Sequence, residues 1–254
     1  MADLSVLRRV MRVSCLAVGF ILAIGLAAIW EGDPGTLLTA DYRTAPDETR
    51  LIDLADGSQV MLGPSSALAL RFDGRRRGFD LLSGIAYVTA SQTAADPAFR
   101  PFRVNAGRGA ATALGTQYMV EVLDDTVRVT VAEHDVEVSL PLETGVSEKV
   151  ILHPGDSVRY SARSGIQSVE RVSLARATGW RDGRLVFDRV PLAEVVAVLN
   201  RYRRGKIVIA NPDLAVRTVS GSFNTSELDH ALHAIARELR ATTTALPPFV
   251  TLLF

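Results

Sequence analysis

Hydrophobic positions along this chain fall into three regimes. The first is an unbroken run, Val13 to Trp30, 18 residues without a charged side chain. As a helix it spans roughly 27 Å, against a hydrocarbon core of about 30 Å. A lone segment in lipid must satisfy its own backbone, so a helix is the expected form. Arg8, Arg9 and Arg12 precede the run, and Glu31 and Asp33 follow it. That asymmetry predicts a cytoplasmic N-terminus, with everything after Trp30 across the membrane. A cleaved signal peptide is the rival reading, and Gly25-Leu26-Ala27 offers a weak cleavage site. Signal-peptide cores are shorter and end at such small residues. Here the apolar run continues to Trp30, so a retained single-pass anchor is expected.

The second regime, from Thr49 to about Val172, alternates. Leu51–Leu54 runs into Asp56-Gly57 and then Val60–Leu62; Ala67–Phe72 runs into Asp73-Gly74 and then Phe79, Leu81 and Leu82. Asp-Gly between apolar runs is a strong hairpin signal. Val127, Val129 and Val131 alternate with Arg128 and Thr130, and Val136, Val138 and Leu140 with Glu137 and Ser139. Around Met119, Glu121 and Leu123 the intervening residues are Val120 and Val122, so that strand looks less one-sided. Turns every 8–12 residues predict an all-β domain, a sandwich or a solenoid-like coil of strands.

The third regime begins near Gly179. Arg184–Phe187 reads as a strand. Leu192, Val195, Val196 and Leu199 then fall at i, i+3, i+4 and i+7, the period of an amphipathic helix. Asp188 is a candidate cap, with Pro191 suited to the first turn, and Gly205 a candidate stop. Ile207–Ile209 and Val219–Phe223 read as strands. Asn224 and Glu227 resemble a capping box before Leu228, Ala231, Leu232, Ile235 and Leu239. Thr242–Leu246 and Phe249–Leu253 form a closing hairpin. The order predicts a small α+β domain with helices over one sheet face. The expected organisation is a cytoplasmic stub at 1–12, a transmembrane helix at 13–30, a linker at 31–48, a β domain at 49–175 and the α+β domain at 176–254.

Composition narrows the function. Lys and Arg total 28, as do Asp and Glu, giving a formal net charge of zero. Nucleic acid is therefore not an expected partner, because phosphate neutralisation needs clustered cations. Arg75-Arg76-Arg77 is the one dense run and reads as a solvated loop. The only cysteine, Cys15, lies in the apolar run, so the exported part holds no disulfide or cysteine-ligated metal. His230 and His233 sit at i and i+3 but read as a solvated helix face. Gly107-Arg108-Gly109 lacks the strand-to-helix setting of a phosphate loop. No set of nucleophile, base and orienting group is present, and the expectation is a non-enzyme with no catalytic, cofactor or metal residues.

An ordered series of short motifs carries a family resemblance. It runs through Leu54-Ala55-Asp56-Gly57-Ser58, Arg77, Gly84-Ile85-Ala86-Tyr87-Val88, Arg100-Pro101-Phe102 and Ala113-Leu114-Gly115-Thr116-Gln117-Tyr118. Pro154-Gly155, Trp180, Leu185, Phe187, Leu199-Asn200-Arg201-Tyr202, Val219-Ser220-Gly221 and Phe223 complete it. From about Tyr42 to Leu239 the chain resembles the FecR family, transmembrane regulators of extracytoplasmic-function sigma factors in Gram-negative bacteria. Ile85 stands where that family usually has Glu, and His134 where it has Gly. Only residues 1–12 precede the apolar run, so the cytoplasmic domain usual in the family is expected to be short, missing or supplied by another chain.

The resemblance implies an inner-membrane protein with its bulk in the periplasm. It implies partnership with the periplasmic signalling domain of a TonB-dependent outer-membrane receptor, and a signal relayed to a sigma factor. The C-terminal domain would resemble the small signalling domain of such receptors and of secretins, with a short edge for strand addition. Partner contacts are expected at Val219, Ser220, Gly221 and Phe223. Structural roles are expected for Asp56, Gly57, Ser58, Arg100, Pro101, Phe102, Gly115, Thr116, Trp180, Asn200, Arg201 and Tyr202. The alternative is an envelope protein-binding module without sigma-factor control.

Overall fold

The computed structural model describes residues 39–73, 75–91, 100–113, 115–143, 145–246 and 250–254. The stub and the 13–30 run lie outside them; among the described residues no helix is long and apolar enough to cross a membrane. Residues 41–254 form one unit, and β structure dominates it.

The first strands are β1 (Tyr42–Arg43), β2 (Arg50–Asp53), β3 (Gln59–Leu62), β4 (Ala67–Leu70) and β5 (Gly78–Ser83). Next come β6 (Ile85–Thr89), β7 (Phe102–Ala106), β8 (Gly109–Ala113), β9 (Gln117–Leu123) and β10 (Thr126–Glu133). They are followed by β11 (Val136–Pro141), β12 (Ser147–Leu152), β13 (Asp156–Ser161), β14 (Gly165–Ile166) and β15 (Glu170–Arg171). One sheet has the order β1-β4-β5-β7-β8-β11-β12; the other has β14-β13-β10-β9-β6-β3-β2, with β15 added on β13. The predicted hairpins form: Ile52 faces Val60, and Leu70 faces Phe79. Successive hairpins go to alternate sheets, so the chain coils while the two sheets close on one core as a sandwich. Pro154-Gly155 therefore marks a crossing between sheets, since β12 pairs with β11 and β13 with β10.

Alternation places Val127, Val129 and Val131 of β10 in the core beside Val136, Val138 and Leu140 of β11. Phe79 and Phe102 meet edge to face at 6.0 Å. Tyr160 spans the sandwich and donates its hydroxyl to the Ala106 carbonyl at 2.9 Å. Tyr118 is equally buried, but its hydroxyl has no partner among the described residues.

Two expectations about the β part need correction. Residues 41–48, read as linker, belong to the fold. β1 pairs Tyr42 with Leu68, and the Thr44 hydroxyl donates to the Gly63 carbonyl at 2.6 Å and accepts from the Ser66 amide at 2.9 Å. The Arg run is only partly solvated: Arg75 and Arg76 are exposed, but Arg77 is 5% exposed. A carboxylate 21 residues upstream in sequence, Asp56, supplies its counter-charge.

The C-terminal part contains α1 (Leu174–Ala177), β16 (Arg184–Pro191), α2 (Leu192–Leu199), β17 (Lys206–Ile209), α3 (Pro212–Ala215) and β18 (Thr218–Asn224). It ends with α4 (Leu228–Glu238) and the closing hairpin β19 (Thr243–Leu246) and β20 (Val250–Leu253). The predicted faces are the buried ones: Leu192, Val195, Val196 and Leu199 on α2, and Leu228, Ala231, Leu232 and Ile235 on α4. Three details differ. The strands form two small sheets, β16-β18 and β17-β20-β19, so the helices face more than one sheet. Asp188 does not cap α2; Arg176 takes it at 3.0 Å, and Pro191 occupies the N-cap. Asn224 caps a single 3₁₀ turn, accepting from the Ser226 amide at 3.1 Å, before α4 begins.

Unfolding in urea separates the two core tyrosines. Tyr118→Phe should leave stability unchanged or slightly raised, because it removes an unpaired buried hydroxyl. Tyr160→Phe should cost about 1 kcal/mol, the worth of a satisfied hydrogen bond.

Candidate functional site: the junction of the β sandwich and the C-terminal unit

A strand with one face on a core normally exposes the other. β6 and β9 do not. Ala86, Val88, Tyr118 and Val120 enter the sandwich core, while Ile85, Tyr87 and Met119 on the opposite face join a second core. That core belongs to the C-terminal part and includes Trp180, Leu185, Phe187, Leu192, Val195 and Tyr202. The weak one-sidedness of the Met119–Leu123 stretch has this cause: both faces are covered.

Trp180 is the plug. It sits on a 3₁₀ turn, Gly179–Asp182, and is 6% exposed. Its indole Nε1–H points at the Met119 Sδ, 3.3 Å away. Gly63 makes the room, since a Cβ there would lie 2.4 Å from Ile85 Cγ2 and 3.0 Å from Trp180 Cζ3. The next residue, Arg181, places its guanidinium 3.9 Å from the Tyr87 ring centroid, a cation–π contact. Ile85 brings an apolar side chain into the same core as Trp180.

Beside the plug runs a ladder of alternating charges. Arg201 donates to Glu121 at 2.7 Å and to the Val122 carbonyl at 2.6 Å. Glu121 also accepts from Arg128 at 2.9 Å. Arg128 reaches on to Glu194, which Arg159 holds in a fork at 3.0 and 3.1 Å. Glu121, Arg128 and Arg159 belong to the sandwich; Glu194 and Arg201 come from α2 and the turn after it. Burial alone would raise the Glu194 carboxyl; the Arg128 charge and the bonds from Arg128 and Arg159 outweigh it and hold the group below its ordinary value. Arg201 also offers its carbonyl to the Ser65 hydroxyl at 2.8 Å.

The motif residues fall into three groups. Asp56, Ser58, Arg77 and Arg100 meet at one end of the sandwich. Arg77 pairs with Asp56 and donates to the Arg100 carbonyl at 3.1 Å; Ser58 donates to Asp56 at 2.8 Å. Gly57 makes the turn at φ +80°. Phe102 is in the core beneath the Arg77 guanidinium, Pro101 is exposed, and Gly115-Thr116 lead into β9, with Thr116 buried. Trp180, Arg201 and Tyr202 lie at the junction. Asn200 closes the loop after α2, since its side-chain amide donates to the Ile207 carbonyl at 3.1 Å and accepts from the Ile207 amide at 2.7 Å.

The four residues expected at a partner edge lie together on β18, but not alike. Val219 is fully buried in the second core, Ser220 is exposed, and Gly221 and Phe223 are half-buried, with the Phe223 ring 6.0 Å from Phe187. Among the described residues β18 pairs only with β16. His230 and His233 are exposed on α4, and no group of three or more metal-ligating side chains exists among the described residues. Sequence reasoning missed Gly63, Glu121, Arg128, Arg159 and Glu194. The one available signal was the two-sided pattern of β9.

Comparison with known proteins adds the family. The model described as FecR protein matches residues 40–137. The model described as FecR, C-terminal matches residues 184–243. The chain belongs to the FecR family. Membership makes it a regulatory protein and not an enzyme. No curated protein matches it. Two crystal structures, at 1.65 and 2.50 Å resolution, of a protein described as a "putative anti-sigma factor" from Parabacteroides distasonis ATCC 8503 share the fold. Each has a TM-score of 0.72 at 21% identity, over 84% of this chain and 97% of that one. A chain covered this far shares both the sandwich and the C-terminal part.

Two outcomes follow from the junction. Trp180→Ala should lower unfolding free energy by about 3–5 kcal/mol, the cost of emptying a packed aromatic site, read from urea denaturation. Glu194→Gln should lose about 2–4 kcal/mol at pH 7, because the paired arginines lose their counter-charge. The folded-state pKa of Glu194 lies below its unfolded value of about 4.3. Its contribution is therefore complete above that pH and fades as acid titrates the folded carboxylate. The deficit of the Gln variant should narrow in a pH series run downward from about 5.

Proposed function

We propose that this FecR-family chain is a membrane-anchored signal transducer. Residues 13–30 cross the inner membrane with the N-terminus in the cytoplasm, and the sandwich and C-terminal unit lie in the periplasm. The C-terminal unit receives the signalling domain of a TonB-dependent outer-membrane receptor along β18, and the message regulates an extracytoplasmic-function sigma factor. Family membership supports the regulatory end of this reading. The description of the Parabacteroides protein supports a sigma factor as its target.

The observation that carries the reading is the junction. A domain used only to bind a partner needs no large apolar and ionic contact with its neighbour. Here Trp180, Met119 and Ile85 share one core, and the Arg201–Glu121–Arg128–Glu194 ladder crosses the same boundary. A partner that docks on β18 therefore acts on a unit rigidly seated against the sandwich. β18 suits strand addition: among the described residues it pairs on one side only, and Ser220 and Ser222 are exposed. A coupling of about 1–3 kcal/mol between docking and the sandwich is the ordinary scale for such a relay.

The test uses the full chain in nanodiscs and the purified signalling domain of a genomically neighbouring receptor. Calorimetry should give a micromolar Kd, weakened at least tenfold by Ser222→Lys, since a charge on an edge strand opposes pairing. In cells, deleting the gene should change transcription of the receptor gene. Unchanged transcription together with no binding assigns the chain to the alternative, an envelope-binding module.

A further inference from the structure

A cleft of about 510 Å³ opens beside the junction and shares Trp180, Glu121, Arg128 and Glu194 with it, but its outer part, between β16 and β15, takes no part in the junction contacts described above. Its floor is the outer face of β10 and β13. One wall is β16, with every residue from Arg184 to Val190 lining it; the other is the extended segment that contains β15. β16 is bonded on one side to β18. On its other side, the side of this cleft, it has no backbone partner among the described residues. β15 uses one side to pair with β13. Two strand edges thus line one space.

The charge of that space is uneven. Seven arginines line it against four carboxylates. Arg176 and Arg189 share the single carboxylate of Asp188, at 3.0 and 3.7 Å. Arg128 and Arg159 share Glu194. Arg184 has no acidic partner among the described residues. Arg176, Arg184 and Arg189 are solvent-accessible at the mouth. Guanidinium groups take carboxylates in forked pairs, and an unpaired strand edge takes another strand.

We infer that this cleft is a second docking site, distinct from the outer edge of β18, for an acidic peptide segment in extended conformation supplied by another protein. The segment adds to β16 through main-chain hydrogen bonds, and its carboxylates engage Arg176, Arg184 and Arg189. A site built this way selects for charge and extension together. A merely basic surface selects for charge alone.

The experiment is fluorescence anisotropy with the full chain in detergent and three labelled hexapeptides, EVEVEV, EPEPEP and KVKVKV. EPEPEP has the charge of EVEVEV, but its prolines fix φ near −65° and hold the backbone in a polyproline II twist, so its remaining N–H and C=O groups do not line up along one edge. EVEVEV should bind at least tenfold more tightly than either control. Its affinity should fall at least fivefold between 50 and 300 mM NaCl, and about tenfold in the Arg176→Glu/Arg189→Glu variant. Both residues are exposed enough to change without disturbing the core; an unchanged thermal midpoint in the variant checks that. Equal binding of EVEVEV and EPEPEP, absence of binding, or full affinity in the variant overturns the inference. So does self-association of the chain that EVEVEV displaces, which would assign the cleft to a second copy.

Discussion

The outward face of β6 and β9 is the constraint on which the rest depends. Ile85, Tyr87 and Met119 would present an apolar patch to water if the sandwich stood alone. Burying them returns roughly 25 cal/mol per Å² of apolar surface, and Trp180 is the residue shaped for it. Once the indole is seated over Gly63, the strand, helix and turns that follow it are placed against the same sheet. The sandwich and the C-terminal part then belong to one unit.

Charge completes what the apolar contact begins. A buried ion pair gives little net stability compared with an apolar contact of the same size, but removing one member is costly. The ladder through Arg201, Glu121, Arg128 and Glu194 therefore acts less as glue than as registry. Its members come from both sides of the junction, α2 and the turn after it on one side and β9 and β10 on the other. The Asp56–Arg77 pair does the same within the sandwich, where it ties a hairpin turn to the start of β5. Burial would raise the Asp56 carboxyl, yet the Arg77 bond and the bonds from Ser58 hold it below its ordinary value. Such contacts suit the relay proposed above, since a loose joint would absorb a passed-on state.

The geometry around β16 and β18 extends this idea. The two-stranded sheet has an edge on each side, one outward and one over the arginine-lined cleft. β16 lies between Trp180, which precedes it, and Glu194, which follows it, and both of these contact the sandwich.

Much of the architecture was legible in the chain alone, because it rests on local rules. Period-2 alternation with Asp-Gly turns determined the hairpins, and period-3.6 apolar faces determined α2 and α4. The ordered motifs pointed to the family. What tertiary structure decided is what touches across the chain. Arg77 reads locally as one of three solvated arginines, and only the fold brings Asp56 to it. Arg128 sits at a polar position of a clean alternation, and only the docked helix makes it a half-buried rung. Asp188 and Asn224 read locally as helix caps, and distant or neighbouring groups claimed them instead. Residues 41–48 lack an apolar pattern, yet β4 supplies the ladder that makes two of them a strand. Periodicity records which face of an element is apolar; it holds no record of what a polar side chain will meet from 20 to 80 residues away, because that depends on how the elements pack.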